Sequence, residues 1–177
     1  VSWSRGLGDV YKRQQENNSY KVLVTDSYEY NNPREDRILS WDFTIDNEEF
    51  SVGPATVLGN PTLYQVESIQ ADKHYQTLLV AEEMKEHHKV MALDLMTGEV
   101  IKEDLGNFDR GNDPEGIALV VNKNNNGYWI CTEQSKTDNR FHLYDRKTLE
   151  YMTTMYLDNV SYTCLLYTSP SPRDQLT

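Results

Sequence analysis

The sequence predicts an all-β fold of repeated four-stranded antiparallel units, and three observations carry that expectation. Short β-branched or aromatic runs recur along the middle of the chain, separated by Gly, Asn and Asp turns. Twelve tyrosines in 177 residues, with a hydrophobic fraction of only 38%, suit strands better than a helical bundle. The third observation is a repeat. The run Arg37-Ile38-Leu39-Ser40-Trp41-Asp42-Phe43 returns as Lys89-Val90-Met91-Ala92-Leu93-Asp94-Leu95 and again as Arg140-Phe141-His142-Leu143-Tyr144-Asp145-Arg146, so that Asp42, Asp94 and Asp145 stand 52 and 51 residues apart. A period of about 50 residues with about four strands per unit is the pattern of β-propeller blades. The chain then holds a partial β-propeller, about two and a half to three blades of an expected six.

Other segments keep the same phase. Leu79-Val80-Ala81-Glu82-Glu83 matches Ile130-Cys131-Thr132-Glu133-Gln134 at a step of 51, and more loosely Leu23-Val24-Thr25-Asp26-Ser27. Val66-Glu67-Ser68-Ile69 matches Pro114-Glu115-Gly116-Ile117 at 48, the difference being absorbed by a longer turn at Asn122–Gly127. Each unit reads as an inner strand opened by Glu, a second strand ending in acidic or amide residues, a third ending in Asp, and an outer strand. Asp94 to Val100 is a hairpin in which Gly98 supplies the turn conformation. An open stack of blades leaves strand edges bare and lacks closure, so the chain by itself is expected to be inactive and marginally stable.

The two ends break this rhythm. Residues 1–14 (VSWSRGLGDVYKRQ) and 164–177 (CLLYTSPSPRDQLT) resemble translated sequencing-adapter read-through at the edges of assembled metagenomic fragments, and are set aside as non-native. The propeller domain is then 15–163. The whole chain carries a formal charge of −11, and without the ends 13 basic residues face 26 acidic ones. Such an acidic chain with no basic cluster excludes nucleic acid as a partner. No apolar run approaches the length of a membrane span. Two cysteines say little about redox compartment.

Residues after the inner strands of a propeller gather near its central channel. Glu67, Glu82, Glu83, Asp113, Glu115, Glu133 and Gln134 are therefore expected to converge from neighbouring blades. Carboxylates brought together repel and are driven to protonate unless a cation neutralises them. Ca²⁺ suits such a set, because it accepts six to eight oxygen ligands in irregular geometry. Separate, solvated turn residues are the alternative.

Asp113-Pro114-Glu115-Gly116-Ile117, then Gly127-Tyr128-Trp129-Ile130, Gln134 and Tyr144-Asp145-Arg146 resemble the D-x-E-G, G-Y-L-I, S-Q and Y-D/E-R succession of the calcium-dependent β-propeller phytases. One blade earlier, Glu67 and Leu79 to Glu83 resemble that family's E-G-x-x-x-D and Y-I-A-E-E-D segments. The resemblance implies that Glu67, Glu83, Asp113, Glu115 and Gln134 line a calcium-filled cleft that holds the phosphates of a phosphorylated small molecule such as inositol hexakisphosphate. It implies phosphomonoester hydrolysis without a covalent nucleophile, a monomeric full-length protein, and a secreted or periplasmic location. The departures are Ser27, where the family has a phosphate-gripping Lys, and Ser68, where it has Gly; Arg34 and Lys21 are candidates to compensate. Two other readings stay open: a non-catalytic, calcium-stabilised binding or scaffold propeller, and a propeller lactonase or esterase using one calcium.

No G-x-S-x-G, P-loop or H-E-x-x-H motif occurs. His87 and His88 read as wet turn residues, His142 as a partly exposed strand residue, and Cys131 as a buried packing thiol rather than a nucleophile.

Overall fold

The computed structural model describes residues 10–14, 19–28, 31–46, 49–59, 61–109 and 111–158. No helix occurs among them, and so none is long and apolar enough to cross a membrane. The first sheet orders β1 (Val10–Gln14), β2 (Ser19–Thr25), β3 (Ile38–Asp46) and β4 (Glu49–Val52), with β5 (Thr56–Val57) also pairing β3. The second orders β6 (Val66–Asp72), β7 (Thr77–Glu82), β8 (Lys89–Asp94) and β9 (Val100–Lys102). The third orders β10 (Asp113–Val121), β11 (Gly127–Gln134), β12 (Asp138–Asp145) and β13 (Tyr151–Asp158). Every pairing is antiparallel, β6 packs on β10, and β1 and β2 lie against β6. Sheets wound in chain order with their first strands side by side are the blades of a partial β-propeller.

The middle blade shows why the repeat folds this way. All six residues of β7 are buried, because its two faces pack against two different blades. Leu78 and Val80 join Leu23, Ile38, Leu63 and Ile69 in the core shared with the first blade. Leu79 and Ala81, pointing the other way, join Ile117, Trp129, Cys131 and Tyr144 in the core shared with the third. The third blade has such a neighbour on one face. On the other, Val120, Tyr128, Ile130 and Leu143 are half-buried.

Hairpin turns repeat in atomic detail. The Asp94 carboxylate accepts from the Met96 and Thr97 N–H groups at 2.8 Å each, and Asp145 accepts from Lys147 and Thr148 at 2.9 and 2.7 Å. Gly98 has φ +73° and lies so close to Gly59 that a Cβ there would meet its Cα at 2.4 Å. In the first blade β3 runs on past Asp42 to Asp46, so Asp42 sits in the third strand as its counterparts do but caps no turn; its carboxylate pairs with Lys21 at 3.0 Å.

A buried ion pair fastens the second blade to the third, at the end of the molecule opposite the inner-strand glutamates. Arg146 grips Asp72 through two hydrogen bonds of 2.6 and 2.7 Å and donates to the Asn125 carbonyl at 2.5 Å. Burial alone would raise the Asp72 carboxyl, but the Arg146 guanidinium together with the His74 and Tyr75 N–H groups outweighs it, and the group is held below its ordinary range. The Asn122–Gly127 segment is a turn, as its sequence implies, with Asn122 Oδ1 accepting from the Asn124 and Asn126 N–H groups.

One expectation fails, and one segment outside the repeat's pattern still joins a sheet. Residues Val10–Gln14, set aside as patternless, pair with β2 from Val10↔Val24 to Gln14↔Tyr20. A ladder is made by backbone groups, and the inner edge of β2 offers its N–H and C=O groups to any extended segment. The segment 164–177 lies outside the described residues. His142 is 2% exposed rather than half wet, because its Nε2 meets Glu133 at 2.5 Å and its Nδ1 meets the Thr154 hydroxyl at 2.8 Å. Cys131 is buried and free, and burial pushes its thiol up, away from the thiolate a nucleophile needs.

Candidate metal centre

At the end of the blades away from Arg146, the inner strands are interrupted. The β6–β7 ladder shifts register between Val66 and Ser68, so that Glu67 sits in the irregularity. The β10–β11 ladder shifts between Pro114 and Ile117, which places Glu115 in the equivalent one. Bulges of this kind re-aim a side chain out of the regular alternation. Asp113 opens β10 directly opposite Gln134, which closes β11. Glu83 follows β7, its N–H donating to the Gln65 carbonyl at 2.9 Å and its carboxylate accepting from Gln65 Nε2 at 2.5 Å.

Four of the five candidate residues come together here. Glu115 is 7% exposed, and burial, then the charges of Glu83, Glu67 and Asp113, push its carboxyl up to about 8. Asp113 is also raised by burial, against the pull of His88 and Lys85. Gln134 reaches the group through its backbone register with Asp113. Glu83 and Asp113 line a cleft of about 740 Å³, together with Gln65, Lys85, His87 and Lys136. Among the described residues no three His, Cys, Asp or Glu side chains stand close enough to hold one ion as they are placed. The gathering is electrostatic: the charges of three other carboxyls reach a buried one and favour its keeping a proton.

Glu82 and Glu133 were expected in the same convergence and are elsewhere. Glu82, 1% exposed, accepts from the Tyr64 and Gln65 N–H groups at 2.7 Å each. Glu133, fully buried, accepts from the Asp109 N–H at 3.1 Å, Asn112 Nδ2 at 2.6 Å and His142. Burial would raise Glu133, yet these partners hold it below its ordinary range. For Glu82 burial wins and the carboxyl is raised. Both fasten the loop that leads into an inner strand, a role that the step of one residue from Glu83 and Gln134 conceals.

A family model for phytase matches residues 44–162, more than half of the chain. The chain belongs to the phytase family. Among solved structures it is similar to a thermostable family-43 glycoside hydrolase, 13% identical with a TM-score of 0.55, over 92% of this chain and 55% of that one. It is also similar to the Dos1 propeller, 7% identical with a TM-score of 0.48, over 86% of this chain and 37% of that one. At such identity the first likeness is one of fold, and the chain spans about half of that protein. No curated protein matches.

Within this member of the phytase family, the motif residues divide by place. Tyr144-Asp145-Arg146 is structural: the Tyr144 hydroxyl donates to the Gly106 carbonyl at 2.6 Å, Asp145 caps a turn and Arg146 staples two blades. Neither candidate substitute for the missing lysine is available. Lys21 is committed to Asp42 and the Ser40 hydroxyl, and Arg34 to Asp36 at 2.7 and 2.5 Å.

Proposed function

We propose that Glu67, Glu83, Asp113, Glu115 and Gln134 hold calcium in one wall of a cleft for phosphomonoester hydrolysis of the phytase type. The observation that carries the reading is the crowding of Glu115 by Glu67, Glu83 and Asp113. Three acidic neighbours around a buried carboxyl are unfavourable for a protein that binds nothing there, and become favourable when a divalent ion is shared among them. Calcium bound there would supply charge for holding a phosphate group and for polarising water. The chain's own part is positional. The two bulges aim Glu67 and Glu115, the Gln65 side chain fixes Glu83, and the β10–β11 register keeps Gln134 beside Asp113. The Cys131 thiol is buried in a core and serves no covalent step. Membership of the phytase family supports a phosphate ester as substrate, and an inositol phosphate is the specific expectation.

A non-catalytic calcium module is the second reading, favoured by Ser27 and by the engagement of Lys21 and Arg34 elsewhere. The deciding experiment has two stages. Melting temperature is compared in calcium and in chelator, with Asp113→Asn as control. Release of phosphate from inositol hexakisphosphate is then measured on a longer protein that carries this segment. Calcium-dependent stabilisation that Asp113→Asn abolishes, together with turnover, supports the phytase reading. Stabilisation without turnover gives the module reading, and a melting temperature indifferent to both calcium and chelator removes both.

A further inference from the structure

We propose that the two open end faces of the blade stack bind a second copy of this chain, the third blade of each copy packing on the first blade of the other to close a six-bladed ring. The two joints inside the chain define what such a contact requires. At the first joint the first blade presents Leu23 and Ile38, and the second receives them with Leu78, Val80, Met91 and Leu93. At the second joint the second blade presents Leu79, Ala81, Val90 and Ala92, and the third receives them with Trp129, Cys131 and Tyr144. The repeat makes these the same faces: Leu79 stands where Leu23 does, and Val90 where Ile38 does. Each blade thus has a receiving face and a presenting face, and the chain joins one to the other twice.

One face of each kind is left over. The receiving face of the first blade carries Val22, Val24, Leu39 and Trp41, the alternate residues of β2 and β3. They pair across the ladder as Val22↔Trp41 and Val24↔Leu39, and all four are half-buried. The presenting face of the third blade carries Ile130, Thr132, Phe141 and Leu143, paired as Ile130↔Leu143 and Thr132↔Phe141. On the outer strands both faces continue into exposed apolar side chains, Val52 opposite Phe43 and Met155 opposite Phe141. None of these positions holds a charge, in a chain of which 25% is charged, and that is the composition of a contact rather than of a solvated surface. The count of blades identifies the partner. Propeller rings close with about four to eight blades. One copy has too few and three copies would have too many, whereas two copies make six. A two-fold axis along the ring then covers both left-over faces at once, each with the kind of face it already meets inside the chain. The inference is independent of what the acidic cleft binds.

The test is the solution mass of the 177-residue chain by sedimentation equilibrium, in chelator so that no cation bridges copies. The expected result is twice the chain mass of 20.6 kDa, with a melting temperature that rises with protein concentration. Trp41→Glu on the first blade and Leu143→Lys on the third should each weaken the dimer by about a hundredfold or more, because both contacts then bury an unpaired charge. Val52→Glu and Met155→Lys, at exposed positions of the same two faces, should act in the same direction while leaving the fold of each copy intact. Ile101→Glu, at an exposed apolar position of the middle blade, should leave the mass unchanged. Mixing the Val52→Glu and Met155→Lys chains should restore dimers, because one of the two contacts in the mixed pair is unaltered. A chain that stays monomeric at every concentration overturns the proposal and leaves both faces to segments outside residues 1–177. A mass that grows without limit overturns it too, since the ring then fails to close. So does a dimer that survives substitution of either face, or one that mixing does not restore.

Discussion

Replacing Glu115 with Gln removes the carboxyl that the site makes hardest to ionise, and the consequence for stability has a definite sign. Its pKa rises from an ordinary 4.5 to about 8, driven first by burial and then by Glu83, Glu67 and Asp113. At about 1.4 kcal/mol per unit, ionising it in place costs on the order of 5 kcal/mol more than in the unfolded chain. Between pH 4.5 and 8 the folded protein holds a proton that the unfolded chain has released. The free energy of unfolding therefore falls as pH rises through that window, and levels off above it. Without calcium, Glu115→Gln should match the parent near pH 4.5 and exceed it by up to about 5 kcal/mol at pH 8 or above. On the calcium reading the order should reverse, because the ion would take the proton's place and bind more tightly as pH rises. Urea unfolding at half-unit steps from pH 4.5 to 8.5, in chelator and in calcium, measures both. Parent and variant curves that run parallel in chelator would refute the crowding. The neighbouring raised groups, Glu82 and Asp113, act equally in both proteins and cancel in the difference.

Two further outcomes follow from the frame rather than the cleft. Asp72→Asn leaves the buried Arg146 without its counter-charge and should lower stability by about 3–5 kcal/mol, read from urea midpoints near neutral pH. The same pair makes the parent acid-sensitive: its contribution is complete above the ordinary carboxylate pKa and is lost as pH falls through the depressed one, a loss absent from Asp72→Asn. Gly98→Ala and Gly106→Ala separate strain from contact. Both have positive φ, but the new Cβ meets the Gly59 backbone in the first and open space in the second. Gly106→Ala should cost about 1 kcal/mol and Gly98→Ala clearly more, by thermal melts of the two variants side by side.

The blades were legible because each is a local meander. Successive strands pair with their chain neighbours, so a period found in the sequence translates directly into sheets, and Asp94 and Asp145 announce the turns they cap. The joint between blades was less legible. Arg146 and Asp72 are 74 residues apart and share no motif, so nothing local reveals that they meet. His142 reads as a wet strand residue until Glu133 and Thr154 are seen on either side of it. β1 was missed for the opposite reason: a strand edge recruits backbone, and no side-chain pattern records it. Of the candidate site, the repeat singles out Glu67 and Glu115 but not the register shifts in which they sit, because a register shift leaves no residue type behind.

The acidic residues at the strand ends separate into two kinds by what their oxygens meet. Glu82 and Glu133 are almost wholly buried, yet each is surrounded by donors: backbone N–H groups for the first, and an N–H, an amide and an imidazole for the second. A carboxylate so supplied is a fastening, and its burial needs no outside cation. Glu115 is also buried, but the charges that reach it, those of Glu83, Glu67 and Asp113, are negative, and it sits where the β10–β11 register shifts. One step along each second strand leads from a loop fastening to a residue near the cluster: from Glu82 to Glu83, whose charge reaches Glu115, and from Glu133 to Gln134, which stands in register with Asp113. At the second position the two blades differ, carboxylate in one and amide in the other. That substitution lowers the negative charge of the cluster by one while keeping an oxygen donor, which is the direction expected where a buried carboxyl is already the costliest member of the group.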